Sequence, residues 1–199
     1  MSQTKKSQPR VVASDTVYKG RVFNVSCDTI EENGNTYKRE VVRHHGSAVI
    51  IPVFDDGTVA LVKQYRHPAV KYLIEAPAGT LNLGEDPAKG AARELEEELG
   101  VVATRMEKLS EFFVSPGFLE EKMWVFLATG LTETQQNLDE DEFIDIVRIP
   151  FTQALEMIQD GEIEDAKTIA GLLLAAPLVT RDISENNYPV EISTDFDAT

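Results

Sequence analysis

Glu94, Glu97 and Glu98 are the residues whose type and spacing most directly imply chemistry. On a helix, positions three and four apart share a face, so these carboxylates would stand together. Each like-charged pair costs on the order of 0.2–0.5 kcal/mol, and Arg93 is the local cation able to relieve it. A divalent cation reverses the sign of that cost. Hard carboxylate oxygens suit Mg²⁺ or Mn²⁺, which keep some waters and bind substrate phosphates through their remaining positions. Gly79 and Gly84 in the preceding loop let backbone carbonyls approach an ion, and Glu85 can either join the cluster or brace Arg93. A glutamate run taken alone is more commonly a solvated helix face.

The elements that must position these groups are legible on either side. Asp86 is placed to cap a helix, Pro87 suits its first position, and Gly100 suits a left-handed end, so a helix is expected over Pro87 to Leu99. Ala88, Ala91, Ala92, Leu95 and Leu99 form its expected packing stripe, with Glu94, Glu97 and Glu98 on another face. Before it, strands are expected at Thr16 to Tyr18, Val22 to Thr29, Thr36 to Arg43, Ala48 to Phe54 and Val59 to Tyr65. Asp55-Asp56-Gly57 and Glu32-Asn33-Gly34-Asn35 punctuate them as turns. After it, Phe112 to Val114 and Met123 to Leu127 read as extended, and helices are expected at Phe151 to Asp160 and Ala166 to Leu178. Interleaving without regular βαβ units implies a mixed α/β (α+β) chain, with helices on the faces of a mixed β-sheet. The expected organisation is a tail at 1–14, a β-hairpin subdomain at 15–44, a main domain at 45–181 and an acidic tail at 182–199.

Length and charge narrow the chemistry further. With 199 residues and 42% apolar content, one domain can bury an adequate core. A formal charge of -15 argues against long nucleic acid as a partner, because such a surface needs clustered lysine and arginine. A small anionic substrate remains compatible, provided a metal or a few arginines supply local positive charge. The apolar stretch Ile169 to Val179 is broken by Gly171 and Pro177 and is shorter than the roughly 20 residues that span a bilayer, so no membrane partner is expected. No apolar segment of about 7–15 residues follows the basic start, and Cys27 has no second cysteine to pair with, so a cytoplasmic location is expected. His44, His45 and His67 lie at strand ends without zinc spacing and are expected at the surface, while Trp124 reads as core.

The segment GTLNLGEDPAKGAARELEEELGV fits one pattern without a gap: Gly79, Glu85, Arg93-Glu94-Leu95, Glu97-Glu98 and Gly100-Val101. This pattern is the Nudix box, and the chain resembles the Nudix hydrolase superfamily over about residues 15 to 180. Pro116, sixteen residues beyond Gly100 in Ser115-Pro116-Gly117-Phe118, resembles the marker of the ADP-ribose pyrophosphatase branch. Val62-Lys63-Gln64-Tyr65-Arg66, Leu73-Ile74-Glu75-Ala76-Pro77-Ala78-Gly79 and Asp160-Gly161-Glu162-Ile163 look like the same branch.

That resemblance implies an α/β/α sandwich and Mg²⁺-dependent hydrolysis of ADP-ribose to AMP and ribose 5-phosphate. It implies metal ligands at the Ala78 carbonyl, Glu94 and Glu98, with Glu97 a further ligand and Arg93 within the box. It places an acid that acts on water in Asp139-Glu140-Asp141-Glu142, with Glu142 first and Glu140 second. Arg66 and Arg43 could grip a phosphate or terminal ribose through their planar forks, and Glu75 resembles a site-facing glutamate of the branch. Pro116, Gly117 and Phe118 complete the expected substrate contacts. The alternatives are a nucleoside diphosphate sugar such as GDP-mannose, a reduced dinucleotide, and a sensor that binds ADP-ribose without cleaving it. The complete set of box glutamates and the lack of a basic extension count against the sensor. The hairpin resembles strands that members of the branch exchange between subunits, which implies a homodimer.

Overall fold

The computed structural model describes residues 8–138 and 142–186. In chain order its elements are β1 (Arg10–Lys19), β2 (Asn24–Glu32), β3 (Asn35–Arg43), β4 (Ser47–Pro52), β5 (Thr58–Arg66), β6 (Lys71–Glu75), β7 (Ala78–Thr80), α1 (Pro87–Leu99), β8 (Val101–Phe113), β9 (Lys122–Glu133), β10 (Ile144–Pro150), α2 (Phe151–Gln159) and α3 (Ala166–Asn186). The first three strands form their own antiparallel sheet. Asn33 and Gly34, with φ of 51° and 80°, supply the two left-handed residues that a tight β2–β3 hairpin requires.

The main body holds two sheets, β7-β4-β9-β8 and β10-β5-β6. The first is mixed, because β4 and β9 run parallel whereas β4–β7 and β8–β9 are antiparallel. Both edges of β4 are thereby taken, so β5 pairs with β6 and β10 in a second sheet, bridged at Val53–Val59 to the residue after β4. The single mixed sheet expected from sequence is therefore two adjoining sheets.

β4 is buried along its whole length, and its alternation divides the core. Val49 and Ile51 pack with Val125, Phe151, Leu172 and Ala175, beneath α2 and α3. Ala48 and Ile50 pack with Ala91, Leu95, Leu99 and Phe126, beneath α1. Helices on both faces make the α/β/α sandwich. α3 approaches β4 closely at Gly171, where an added Cβ would lie 2.7 Å from Ile51 Cδ1. The buried Thr168 hydroxyl accepts the Ala76 N–H at 2.6 Å, tying the start of α3 to the end of β6.

Four boundaries differ from expectation for physical reasons. β1 begins at Arg10 rather than Thr16, shortening the expected 1–14 tail; its side chains are all exposed and its ladder shifts register twice, so burial leaves no period to read. β8 runs over Val101–Phe113 because a register shift between Lys108 and Ser110 interrupts the alternation that would have revealed it. α3 passes Pro177 and reaches Asn186, beyond the expected ends at Leu178 and 181. Asp182 to Asn186 carries no apolar stripe, and an existing helix propagates more easily than it starts. α2 stops at Gln159, with Asp160 as its C-cap. Among the described residues, no helix is long and apolar enough to cross a membrane.

Candidate active site

The loop from β7 into α1 is set by local chemistry. Asp86 Oδ1 accepts the N–H groups of Ala88 and Lys89 at 2.9 and 3.2 Å, and Pro87 occupies the first turn. At the other end Gly100, with φ 63°, donates its N–H to the Glu96 carbonyl. Between these caps the buried residues are Gly90, Ala91, Glu94, Leu95, Glu98 and Leu99. Ala88 and Ala92, expected on the packing stripe, are exposed. The sheet-facing arc is narrower than expected, and Glu94 and Glu98 lie along its margin rather than on a separate solvent face. Gly79 makes room for this: a Cβ there would stand 2.0 Å from Glu94 Cδ.

Arg93 organises the outer acids. Its Nη1 donates to Glu94 Oε1 at 2.7 Å and Glu97 Oε2 at 2.8 Å, while Nε and Nη2 each meet Glu85 at 3.2 Å. Hydrogen bonding from Arg93 holds the Glu85 carboxyl below its ordinary value, and Glu85 also accepts the Asn82 N–H at 2.8 Å. Glu85 therefore braces Arg93, one of the two roles open to it from sequence.

Glu94 and Glu98 behave differently. Burial raises Glu94 against the opposing pull of Arg93. Burial pushes Glu98 up to about 8, and the charges of Glu94 and Glu142 add to the effect. Glu98 receives the Ala78 N–H, but its Oε2 is buried without a hydrogen-bond partner among the described residues. Among the described residues no trio of histidine, cysteine or acid side chains is already gathered as a metal cage, since Glu94 and Glu97 are turned onto Arg93. The donor set nevertheless fits a hard divalent cation. It offers a buried carboxylate oxygen with an unmet valence, a second buried carboxylate beside it, and further negative charge from Glu142.

A cavity of about 380 Å³ opens beside this loop, lined at its near edge by Ala78, Gly79 and Thr80. Arg66, at the end of β5, supplies a cationic wall; its Nε and Nη2 donate to the two oxygens of buried Glu75, both at 2.7 Å. Burial would raise Glu75, but Arg66 and Lys167 more than reverse that and leave it below its ordinary value. The rest of the lining includes polar and aromatic residues. Ser47 donates to Glu121 at 2.8 Å, His44 Nδ1 lies 3.7 Å from the same carboxylate, and Phe112 and Phe113 stand alongside. An anion could thus be gripped beside an acid cluster suited to metal.

Comparison with known proteins agrees with this geometry. The NUDIX domain model matches residues 43–172. The chain belongs to the Nudix family. It is 38% identical to an ADP-ribose pyrophosphatase of Bacillus subtilis (strain 168), over 82% of this chain and 90% of that protein. It is 40% identical to a methanol dehydrogenase activator of Bacillus methanolicus, covering 81% and 89%. A GDP-mannose pyrophosphatase of Yersinia enterocolitica is 36% identical, covering 75% and 84%. A crystal structure of an ADP compounds hydrolase shares the fold with a TM-score of 0.77 at 24% identity, covering 94% of this chain and 100% of that one.

Within this Nudix site the residues singled out from sequence divide into three groups. Arg66 and Ala78 line the cavity, Glu75 stands behind Arg66, and Glu94, Glu98 and the charge of Glu142 converge at the helix. Arg43 is committed elsewhere: it pairs with Asp28, with Glu120 at 2.7 Å and with Ser26 at 2.9 Å, and it does not line the cavity. Pro116, Gly117 and Phe118 do not line it either. Their turn is pinned to β3, with Val42 N–H donating to Phe118 at 2.7 Å and Glu120 N–H to Val42 at 3.1 Å. Glu140 lies outside the described residues. His44, expected at the surface, is instead a largely buried cavity residue whose Nδ1 accepts the Gly46 N–H at 3.0 Å. His45 and His67 are exposed, and Trp124 packs against the α1-side core. Sequence reasoning passed over Lys167, Asp165, Glu121 and Ser47, which reach the cavity from elements distant in the chain.

Proposed function

We propose that this Nudix enzyme hydrolyses the pyrophosphate of ADP-ribose to AMP and ribose 5-phosphate. The observation that carries the reading is Glu98, a buried carboxylate beside Glu94 with an oxygen unpartnered among the described residues, which accepts the N–H of Ala78, a residue lining the same cavity as Arg66. Glu94, Glu98 and the Ala78 carbonyl, with Glu97 turning in from Arg93, would hold Mg²⁺ or Mn²⁺. Such an ion would supply positive charge to the phosphate oxygens of a bound substrate. Glu142 orients a water and takes its proton, the water oxygen bonds to phosphorus, and the bridging P–O bond breaks to release the second phosphate. Glu140 is the runner-up for the role of Glu142. Arg66 grips the phosphates, aligned from behind by Glu75. Arg93 positions the box glutamates without touching substrate.

The kinship with an ADP-ribose pyrophosphatase supports this substrate, and kinship with a GDP-mannose pyrophosphatase supports a nucleotide sugar as the second reading. A homodimer joined through β1–β3 is supported by the side chains this sheet leaves bare, including Val11, Val17 and Tyr18 at 55%, 63% and 54% exposure. A panel of ADP-ribose, GDP-mannose, UDP-glucose and NADH with Mg²⁺, read by phosphate release through a coupled phosphatase, tests the substrate. ADP-ribose should turn over fastest. Preference for GDP-mannose would replace it with the second reading, and binding of ADP-ribose without turnover of any compound would make the chain a sensor.

A further inference from the structure

A lysine in the first turn of a helix opposes the helix dipole, which favours anions there. Lys167 holds that position in α3, two residues after Asp165, whose side chain accepts the Thr168 N–H at 2.9 Å as an N-cap does. Its placement therefore has to be explained by its surroundings. The side chain is 10% exposed, lines the same cavity as Arg66, and ends in an ammonium that meets Glu75 and, at 3.0 Å, Asp165.

Glu75 is the hinge of this arrangement. Only 1% exposed, it lies behind two cations brought from distant parts of the chain, Arg66 from the end of β5 and Lys167 from the start of α3. Two cations so close would repel in isolation; one shared buried carboxylate holds them together. Neither is used up. Arg66 spends Nε and Nη2 on Glu75, its Nη1 has no hydrogen-bond partner among the described residues, and the Lys167 ammonium has three donors against two acid partners there. Thr168 fixes the register, since its hydroxyl donates to Asp165 and accepts from Ala76, immediately after Glu75.

We propose that Lys167 is a substrate-binding residue, which with Arg66 forms a two-cation cradle for the adjacent phosphates of a nucleoside diphosphate compound. The inference rests on the reading of the cavity as a diphosphate site. It adds a ligand group from α3, outside the box and outside the motifs that precede it. Glu75 acts through both cations and is a positioning residue.

The test measures binding and turnover separately. Calorimetric titration of the metal-free protein with ADP-ribose in EDTA reads the cradle without hydrolysis. Lys167→Met should weaken the dissociation constant about 10- to 100-fold, the range for one charge-assisted hydrogen bond, and flatten its dependence on salt. Lys167→Arg should recover most of the affinity. With Mg²⁺, KM for ADP-ribose should rise in parallel while kcat stays within about threefold, as expected when ground-state and transition-state binding are lost equally. Should Lys167→Met fail to fold, Lys167→Gln keeps hydrogen bonding to Glu75 and Asp165 without the charge and carries the same expectation. Unchanged affinity and salt dependence, a fall in melting temperature alone, or a wild-type protein that does not bind ADP-ribose would overturn the proposal. Tight, Lys167-dependent binding with no hydrolysis by the wild type would leave the cradle standing and sink the hydrolase reading instead.

Discussion

Two buried acids a short way apart in this molecule meet opposite fates. Glu75 lies under Arg66 and Lys167, every carboxylate oxygen is engaged, and its carboxyl is held below the ordinary value. Glu98 is nearly as buried, yet its neighbours are Glu94 and Glu142, one oxygen has no partner among the described residues, and its carboxyl rises to about 8. A buried charge without enough counter-charge is costly, so Glu98 favours its protonated form, with Arg66 opposing only weakly, unless further positive charge is supplied. The contrast separates a charge-balanced part of the site, the proposed cradle for substrate, from an unbalanced part that the proposed metal would complete.

The sharpest way to break that contrast is Glu98→Gln. The amide keeps the shape and loses the anionic ligand, so kcat should fall by about 10²–10⁴, while the melting temperature of the metal-free protein should not drop. Steady-state kinetics beside thermal melts check both. Near-normal turnover would remove Glu98 from the ligand set. Gly79→Ala strikes the same region from outside. Its Cβ would overlap the Glu94 carboxylate, so Glu94 must swing away, and a loss of about 10- to 100-fold in kcat/KM is expected with the fold retained.

Glu75→Gln should act mainly on stability. Removing one partner of a buried ion pair costs about 3–5 kcal/mol; with Arg66 41% exposed and able to reach water, about 2 kcal/mol is a better expectation here. Urea unfolding measures it. Because Arg66 and Lys167 lose their shared anchor, KM should also rise, whereas a purely structural Glu75 would leave KM alone.

These two regions were unequally legible in the sequence. The helix that carries Glu98 is bounded by Asp86, Pro87 and Gly100, a local code, and the carboxylate spacing follows from it. What sequence missed there was depth: Ala88 and Ala92 face solvent while Glu94 and Glu98 are buried, because Gly79 leaves room for the Glu94 carboxylate against β7 and Gly90 lets Leu81 approach the helix. The charge-balanced region was only half visible. Arg66 and Glu75 come from the β5–β6 antiparallel pair and could be read as a motif, but Lys167, Glu121 and His44 arrive through the packing of α3 and the pairing of β4 with β9, which no local pattern encodes. The one local hint at Lys167 was a lysine two residues after Asp165 in a helix's first turn. Arg43 and Pro116 are placed away from this cavity, since their surroundings are made by the β3 contact to Phe118 and Glu120.

The smallest effect expected is the pH dependence of the metal-free fold, and the two acids contribute with opposite sign. Glu75 is depressed in the folded state, so its contribution is present above about pH 4.5 and is lost as pH falls through its lower folded value. Glu98 is raised, so between about 4.5 and about 8 the unfolded chain has released a proton that the folded one retains, and stability declines as pH rises through that window. The proposed Mg²⁺ would bind the ionised form and offset the decline, so its stabilising effect should be larger at pH 8 than at pH 6. A difference of about 1 kcal/mol corresponds to roughly 2–4 °C for a chain of this size. Thermal melts at both pH values, with and without Mg²⁺, measure it. In Glu98→Gln the difference should vanish, while in Lys167→Gln it should persist; equal Mg²⁺ shifts at the two pH values would mean that Glu98 is not where the missing charge is supplied.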